Sequence, residues 1–185
     1  MNENLANVLR KGGIAVVPTD TIYGIVGSAL NPETVEQIYN LRKRAKDKPF
    51  IILVSSIKDL EKFSIKLKDK QKKFLEKVWP NPVSVVLPCD SRDFEYLHRG
   101  KDSLAFRMPK DERLLKILKE VGPLVAPSAN FEGEKVAENI SEAKKYFGDS
   151  VATYIDNGKI KSEPSTLVAW EDNSIKILRQ GSFKI

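Results

Sequence analysis

Thr19, Asp20 and Thr21 lie between two apolar runs, Ile14 to Val17 and Ile22 to Val26, and Tyr23 follows at the start of the second run. Two hydroxyls, a carboxylate and a phenol within five residues, framed by apolar chain, suit the floor of a ligand pocket. The plainer reading is a tight turn in which Thr and Asp satisfy backbone amides. Further on, Arg42-Lys43-Arg44-Ala45-Lys46-Asp47-Lys48 places five basic residues in seven. Complementing a helix C-terminus takes one or two cations, so this density points to an anion site. Arg107 stands two residues before Pro109 and offers a single guanidinium at a strand end. Pro127-Ser128-Ala129-Asn130 can set a hydroxyl and an amide side by side, although the segment alone also reads as an ordinary turn. The chemistry available to such a set is the binding and polarising of anions. No convincing Ser/His/Asp or Cys nucleophile accompanies it. One His and one Cys are too few for a His/Cys zinc site within the chain, and no Gly-x-x-x-x-Gly-Lys-Ser/Thr loop is available to cradle phosphate.

The elements that must position these residues follow from period and punctuation. Leu5, Val8 and Leu9 share a helical face that Gly12-Gly13 ends. Pro18 cannot donate to a ladder and should close the first strand. Asn31-Pro32-Glu33 is a helix start, with Val35, Ile38 and Leu41 as its core stripe. Phe50 to Val54 reads as a fully buried strand, and Ser56 with Asp59 as a capping box. Asp69 opens a helix through Val78 that Trp79-Pro80-Asn81-Pro82 breaks before a strand from Val83 to Leu87. Trp79 is expected in the core. Ser91 to Lys101 reads as a polar, mobile loop, Ser103 to Arg107 as a strand, and Asp111 to Val121 as an amphipathic scaffold helix. Pro123 to Ala126 and Tyr154 to Asp156 are short strands, and Ser141 to Phe147 is a helix capped by Gly148. A final hairpin joins Thr166–Trp170 to Ile175–Arg179 around Asp172-Asn173. Alternating strands and helices ending in a hairpin predict a single α/β domain around one twisted, mixed sheet.

The bulk properties agree. A chain of 185 residues can bury one respectable core. Lys and Arg number 31 against 25 Asp and Glu, a formal charge of +6, and the pI is near 9.3. That balance favours a polyanionic substrate or partner. The single Cys89 excludes an internal disulfide and fits a reducing compartment. With no signal-peptide pattern and no membrane-length apolar run, the expectation is a cytoplasmic protein with no membrane contact.

Six motif blocks in order resemble the YrdC/Sua5 family, whose members are threonylcarbamoyl-AMP synthases. They are Pro18-Thr19-Asp20-Thr21-x-Tyr23-Gly24; Arg42-x-Arg44 with Lys48-Pro49; Trp79-Pro80-Asn81-Pro82 with Ser84; Arg107-x-Pro109; Ser128-x-Asn130; and Pro164-Ser165-Thr166 with Arg179-x-Gly181. Three departures stand out. The family carries Lys where this chain has Arg42, a non-equivalent exchange at a bidentate site, and Lys43 could take that place only if the helix end turned. Asn81 and Ser84 replace Gly and Thr, and Glu132-Gly133 stands where the family often has Ser-Gly.

The resemblance implies a YrdC-like domain over residues 1–185, without the C-terminal extension of longer members, bearing a concave basic face. It implies ATP, L-threonine and bicarbonate as substrates. Mg²⁺ would accompany ATP, and the product would pass to a tRNA threonylcarbamoyl transferase complex, with tRNA contact weak or transient. By resemblance, Thr21, Arg107 and Ser165 hold threonine, while Arg42, Arg44, Lys48, Ser128, Asn130 and Arg179 hold the nucleotide. Of these, Arg44, Lys48, Ser128 and Asn130 would catalyse by positioning and electrostatics. A rival of another class is a non-catalytic RNA-binding module with a basic surface. Sparse aromatics that do not interleave with the basic run give it little support. Carbamoyl-AMP formation in a multi-domain hydrogenase-maturation protein is a second alternative, but that protein carries cysteine-rich zinc fingers.

Overall fold

The computed structural model describes residues 3–171 and 174–185. The chain order is α1 (Glu3–Arg10), β1 (Ala15–Pro18), β2 (Tyr23–Ser28), α2 (Pro32–Leu41), β3 (Ile51–Leu53), α3 (Asp69–Val78), β4 (Val83–Pro88), α4 (Glu95–His98), β5 (Ser103–Arg107), α5 (Glu112–Val121), β6 (Leu124–Val125), α6 (Ile140–Phe147), β7 (Thr153–Tyr154), β8 (Thr166–Glu171) and β9 (Ser174–Arg179). The strands form one mixed sheet in the order β7-β1-β2-β6-β3-β5-β4-β8-β9. β3–β5 and β4–β8 run parallel, and β1–β2, β4–β5 and β8–β9 antiparallel. A mixed α/β domain around one sheet is therefore what the chain builds.

Both faces of the sheet are covered at the β1–β2 end, whereas along β3, β5, β4 and β8 one face leaves Ile51, Ala105, Val86 and Leu167 only half-buried. Alternation along β1 sends Ala15 and Val17 to a core shared with Leu5, Leu9, Leu114 and Leu118 of α1 and α5. Ile14 and Val16 face the larger core beneath α2, α3 and α6. The start of α2 is as read: the Asn31 side chain accepts from the Thr34 N–H at 3.1 Å and Pro32 begins the helix. Gly27 lets that helix approach β2. A β-carbon there would lie 2.4 Å from Thr34 Cγ2 and 3.0 Å from Ile38 Cδ1. Asp111 caps α5 through the Leu114 N–H at 2.8 Å. Trp79 is buried, its indole donating to the Val83 carbonyl at 2.7 Å.

Three expectations need correcting. Ser91 to Lys101 is not an open loop. A 3₁₀ turn, Arg92–Phe94, runs into α4, and Leu97 and His98 are buried. The strand expected over 50–54 shortens to Ile51–Leu53, and Ile51 is only half-buried. The expected 154–156 strand is Thr153–Tyr154. The hairpin turn Asp172-Asn173 lies outside the described residues. Among the described residues, no helix is long and apolar enough to cross a membrane.

Candidate active site

Five segments distant in sequence converge on a cavity of about 550 Å³. They are the β1–β2 turn, the C-terminal end of α2, the end of β5, the chain after β6, and the approach to β8 with the end of β9.

In the β1–β2 turn, the Thr19 hydroxyl donates to the Ile22 carbonyl at 2.7 Å and accepts the N–H groups of Thr21 and Ile22, each at 3.2 Å. That hydroxyl knots the turn, as the plainer reading anticipated. Thr21 Oγ lies 3.1 Å from it and accepts from Arg107 Nη1 at 3.1 Å. Arg107 is 5% exposed. Its Nη2 lies 3.4 Å from Asp20 Oδ1, an ion pair without hydrogen-bond geometry, and its Nε has no hydrogen-bond partner among the described residues. Burial lowers the Arg107 pKa, Asp20 opposes that shift and Arg179 adds to it. Asp20 itself is not among the residues that line the cavity, and its Oδ2 accepts from the Lys110 N–H at 3.1 Å.

Arg42, at the C-terminal end of α2, is 2% exposed. Its Nε donates to the Asn130 carbonyl at 3.1 Å, and its Nη2 to Ser128 Oγ at 3.1 Å and Asn130 Oδ1 at 2.9 Å. Burial and neighbouring Arg44 bring its pKa down to about 10, so it stays charged at neutral pH. The Asn130 amide donates to the carbonyls of Phe131 and Glu134. Asn130 is thus an internal brace. Ser128 lines the cavity, brought there because residues 127–129 bond along β2: Ile25 N–H to Pro127 O, and Ala129 N–H to Tyr23 O.

On the far side, Arg179 Nη2 donates to the Ser165 carbonyl at 2.9 Å, and Ser165 Oγ lies 2.9 Å from Ser84 Oγ. Burial lowers the Arg179 pKa as well. Gly181 permits this contact, since a β-carbon there would sit 2.2 Å from the Pro164 carbonyl oxygen.

The helix end does turn at Lys43, which adopts a left-handed φ of 51°. Its ammonium, however, stacks 4.1 Å over the Phe131 ring. Arg44 reaches the cavity. Lys48 instead binds Glu132 at 2.7 Å.

The cavity therefore gathers Thr21, Arg42, Arg44, Arg107, Ser128, Ser165 and Arg179 from the residues read in the sequence, but neither Lys48 nor Asn130. Tyr23 was expected beside the threonines. Its phenol turns to the 156–158 loop, donating to the Gly158 carbonyl at 2.7 Å and accepting the Asn157 N–H at 2.9 Å. Lys101 also lines the cavity, hidden in the segment read as a loop. Ser84, which stands where the resembled family has Thr, still offers a hydroxyl, but nothing local to it signals its bond to Ser165. Among the described residues, the cavity lining holds five cationic side chains, Arg42, Arg44, Lys101, Arg107 and Arg179, and no carboxylate. Such a lining suits a ligand set carrying several negative charges.

The family profile of Sua5/YciO/YrdC, described as "Telomere recombination", matches residues 7–181. The chain belongs to the Sua5/YciO/YrdC family. A relative from Methanocaldococcus jannaschii, named putative threonylcarbamoyl-AMP synthase, is 34% identical over 99% of this chain and 86% of its own length. The threonylcarbamoyl-AMP synthase of Bacillus subtilis is 28% identical over 95% of this chain and 52% of its own length. Pyrococcus abyssi Sua5, solved in complex with L-threonine, superposes with a TM-score of 0.88 at 28% identity, covering 96% of this chain and 53% of that one. This family member thus spans about half the length of its Bacillus and Pyrococcus relatives and most of the Methanocaldococcus one.

Proposed function

We propose that this chain is a threonylcarbamoyl-AMP synthase, a nucleotidyltransferase that converts L-threonine, bicarbonate and ATP to threonylcarbamoyl-AMP and pyrophosphate. The observation that carries the reading is the cavity that, among the described residues, holds five cations and no carboxylate, in a family whose relatives are named for this compound's synthesis. The reaction brings together a carboxylate, a carbamate and a triphosphate, and it needs no protein nucleophile. Threonine's amine nitrogen bonds to the carbon derived from bicarbonate, with loss of water, to form the carbamate. A carbamate oxygen then attacks the α-phosphorus, the bond to the bridging oxygen breaks, and pyrophosphate leaves with the electron pair.

Arg107 is the seat for threonine's carboxylate. It is buried, already oriented by Thr21, and has an unpartnered Nε. Pairing it with a carboxylate in so dry a position is a charge-assisted contact. Ser165, tied to Ser84 and Arg179, closes the threonine side. Arg44, Ser128 and Arg179 face the phosphates from the opposite walls, with Arg42 holding Ser128 in place. Their fixed donors stabilise charge that grows on the leaving pyrophosphate, where one preorganised donor contributes about 2.7–4 kcal/mol. Among the described residues, no group of three or more His, Cys, Asp or Glu gathers into a metal cage. Mg²⁺ would enter with ATP, ligated by phosphate oxygens and water. The adenylate is then consumed by a transferase complex acting on tRNA.

The test is incubation with MgATP, bicarbonate and threonine, followed by detection of pyrophosphate and a new adenylate. Release should require both threonine and bicarbonate. Pyrophosphate without threonine, or none with all three present, would overturn the assignment.

A further inference from the structure

Residues 44–48 wrap around an anion that the chain supplies itself. Glu132 Oε2 accepts the Ala45 backbone N–H at 2.7 Å, Oε1 accepts from Lys48 Nζ at 2.7 Å, and Arg44 Nη1 lies 3.8 Å from the same oxygen. Arg44 is held in this fold by its Nε, which donates to the Lys48 carbonyl at 3.0 Å. A backbone N–H, an ammonium and a guanidinium converging on one point form a donor set suited to a phosphate oxygen. The Lys48 ammonium, then the Ala45 N–H, pull the Glu132 carboxyl down to about 2. Arg44 belongs to the cavity wall, so the cluster stands at the cavity's rim.

The carboxylate is not needed to shape its loop. The Glu132 N–H bonds to the Arg42 carbonyl at 2.9 Å, the Asn130 amide holds the carbonyls of Phe131 and Glu134, and Phe131 packs edge-on against Tyr146. Nor is it locked away. The Glu132 side chain is 24% exposed and that of Lys48 54%. Ion pairs this exposed are weak and exchange readily.

We propose that Glu132 is a built-in competitor for the outer phosphates of the nucleotide. Its carboxylate occupies the Ala45, Lys48 and Arg44 donors in the empty protein, a polyphosphate displaces it, and it returns as pyrophosphate departs. This deepens the synthase reading and rests on it for the identity of the phosphate ligand. The competition explains why Lys48 is turned from the cavity. It also discriminates by charge, because a chain of phosphates can displace the carboxylate while a nucleoside monophosphate held within the cavity does not meet it.

The test is calorimetric titration of inorganic tripolyphosphate, and separately of AMP, into wild type, Glu132→Gln and Glu132→Asp. Melting curves would verify that all three are folded. Releasing the donors from a carboxylate that holds them most of the time should tighten tripolyphosphate binding by about three- to tenfold in Glu132→Gln. AMP binding should not change. Glu132→Asp keeps the charge but is one methylene short, so it too should bind tripolyphosphate more tightly than wild type. Unchanged, weaker or undetectable tripolyphosphate binding in Glu132→Gln would overturn the proposal. So would tightening in Gln with Asp behaving as wild type, which would mean that charge acts through the field and not by occupying the donors. The two readings fail separately. An active synthase with unchanged tripolyphosphate affinity loses only the competitor, whereas the expected tightening without threonine-dependent synthesis loses only the synthase.

Discussion

Arg42 offers the sharpest test of how the site is built. The resemblance assigned it to the nucleotide, yet its guanidinium makes three hydrogen bonds to Ser128 and Asn130, at 2.9–3.1 Å, while 2% exposed. Truncation to Ala strands the Asn130 carbonyl, Asn130 Oδ1 and Ser128 Oγ, and each buried acceptor left alone costs about 1–3 kcal/mol. Two terms reduce the sum. The buried guanidinium carries its own desolvation cost, with Nη1 unpartnered, and the vacated volume adjoins a cavity from which water can enter. A net loss of about 2–3 kcal/mol remains, or about 4–12 °C in melting temperature for a chain of this size. Arg42→Lys keeps the charge but cannot span both Ser128 Oγ and the Asn130 carbonyl, and should cost about 1–2 kcal/mol. The assay is a melt of Arg42→Lys, Arg42→Ala, Ser128→Ala and the Arg42→Ala/Ser128→Ala pair, beside ATP titrations. A loop-holding Arg42 couples to Ser128 by at least about 0.5 kcal/mol, and the ATP requirement rises in step with instability. If both Arg42 variants melt with wild type and shift only the ATP requirement, Arg42 is a direct phosphate ligand and the bracing argument is wrong.

The remaining predictions concern the other cations and the tail. Arg107→Ala should mainly raise the threonine requirement and Arg44→Ala the ATP requirement, each on the order of 2–4 kcal/mol of lost transition-state or ligand stabilisation; equal shifts on one substrate would refute the division. Arg107→Ala should also melt earlier, because Asp20 Oδ1 loses the guanidinium beside it, whereas Arg44→Ala should melt close to wild type. Gly181→Ala drives a β-carbon into the Pro164 and Ser165 backbone and should cost about 1–3 kcal/mol, with ATP use falling as Arg179 leaves the Ser165 carbonyl. A Gly181→Ala protein that melts as wild type would show that the tail contact is loose.

Elements with strong local signals were readable from the residues. The 69–78 helix and the 103–107 strand fall where period and punctuation put them. The 91–101 segment was misread because a three-residue 3₁₀ turn and a four-residue helix are too short to show a period, although Leu97 and His98 are buried. Tyr23 was misplaced for a different reason. Thr19 knots the turn while Tyr23 already belongs to β2, and nearness to Thr21 in sequence does not show that the phenol meets the 156–158 loop. Asn130 is expected at the nucleotide, but residue type cannot tell an amide that meets ligand from one that its own loop carbonyls already satisfy.

The basic run from 42 to 48 shows where sequence reasoning stops, and why. Five cations in seven residues are too many for one helix end, and the fold gives them separate work. Arg42 braces the 128–130 loop, Lys43 covers Phe131, Lys46 pairs with Glu36 at 3.0 Å, Lys48 pairs with Glu132 at 2.7 Å, and Arg42 and Arg44 are the members that reach the cavity. Local density counts charge. An anion site is made by the charges whose counter-ions are missing or removable, and those counter-ions lie elsewhere in the chain. Glu132 is 84 positions from Lys48 and Asn130 88 positions from Arg42. Only the fold decides that Arg42 is committed to a loop, that Arg107 sits beside Asp20 with one nitrogen to spare, and that the donors of Ala45 and Lys48 already hold a carboxylate. The same basic run on a fold that left Glu132 distant would present those donors open to any phosphate. Here a ligand must carry enough charge to displace the resident one.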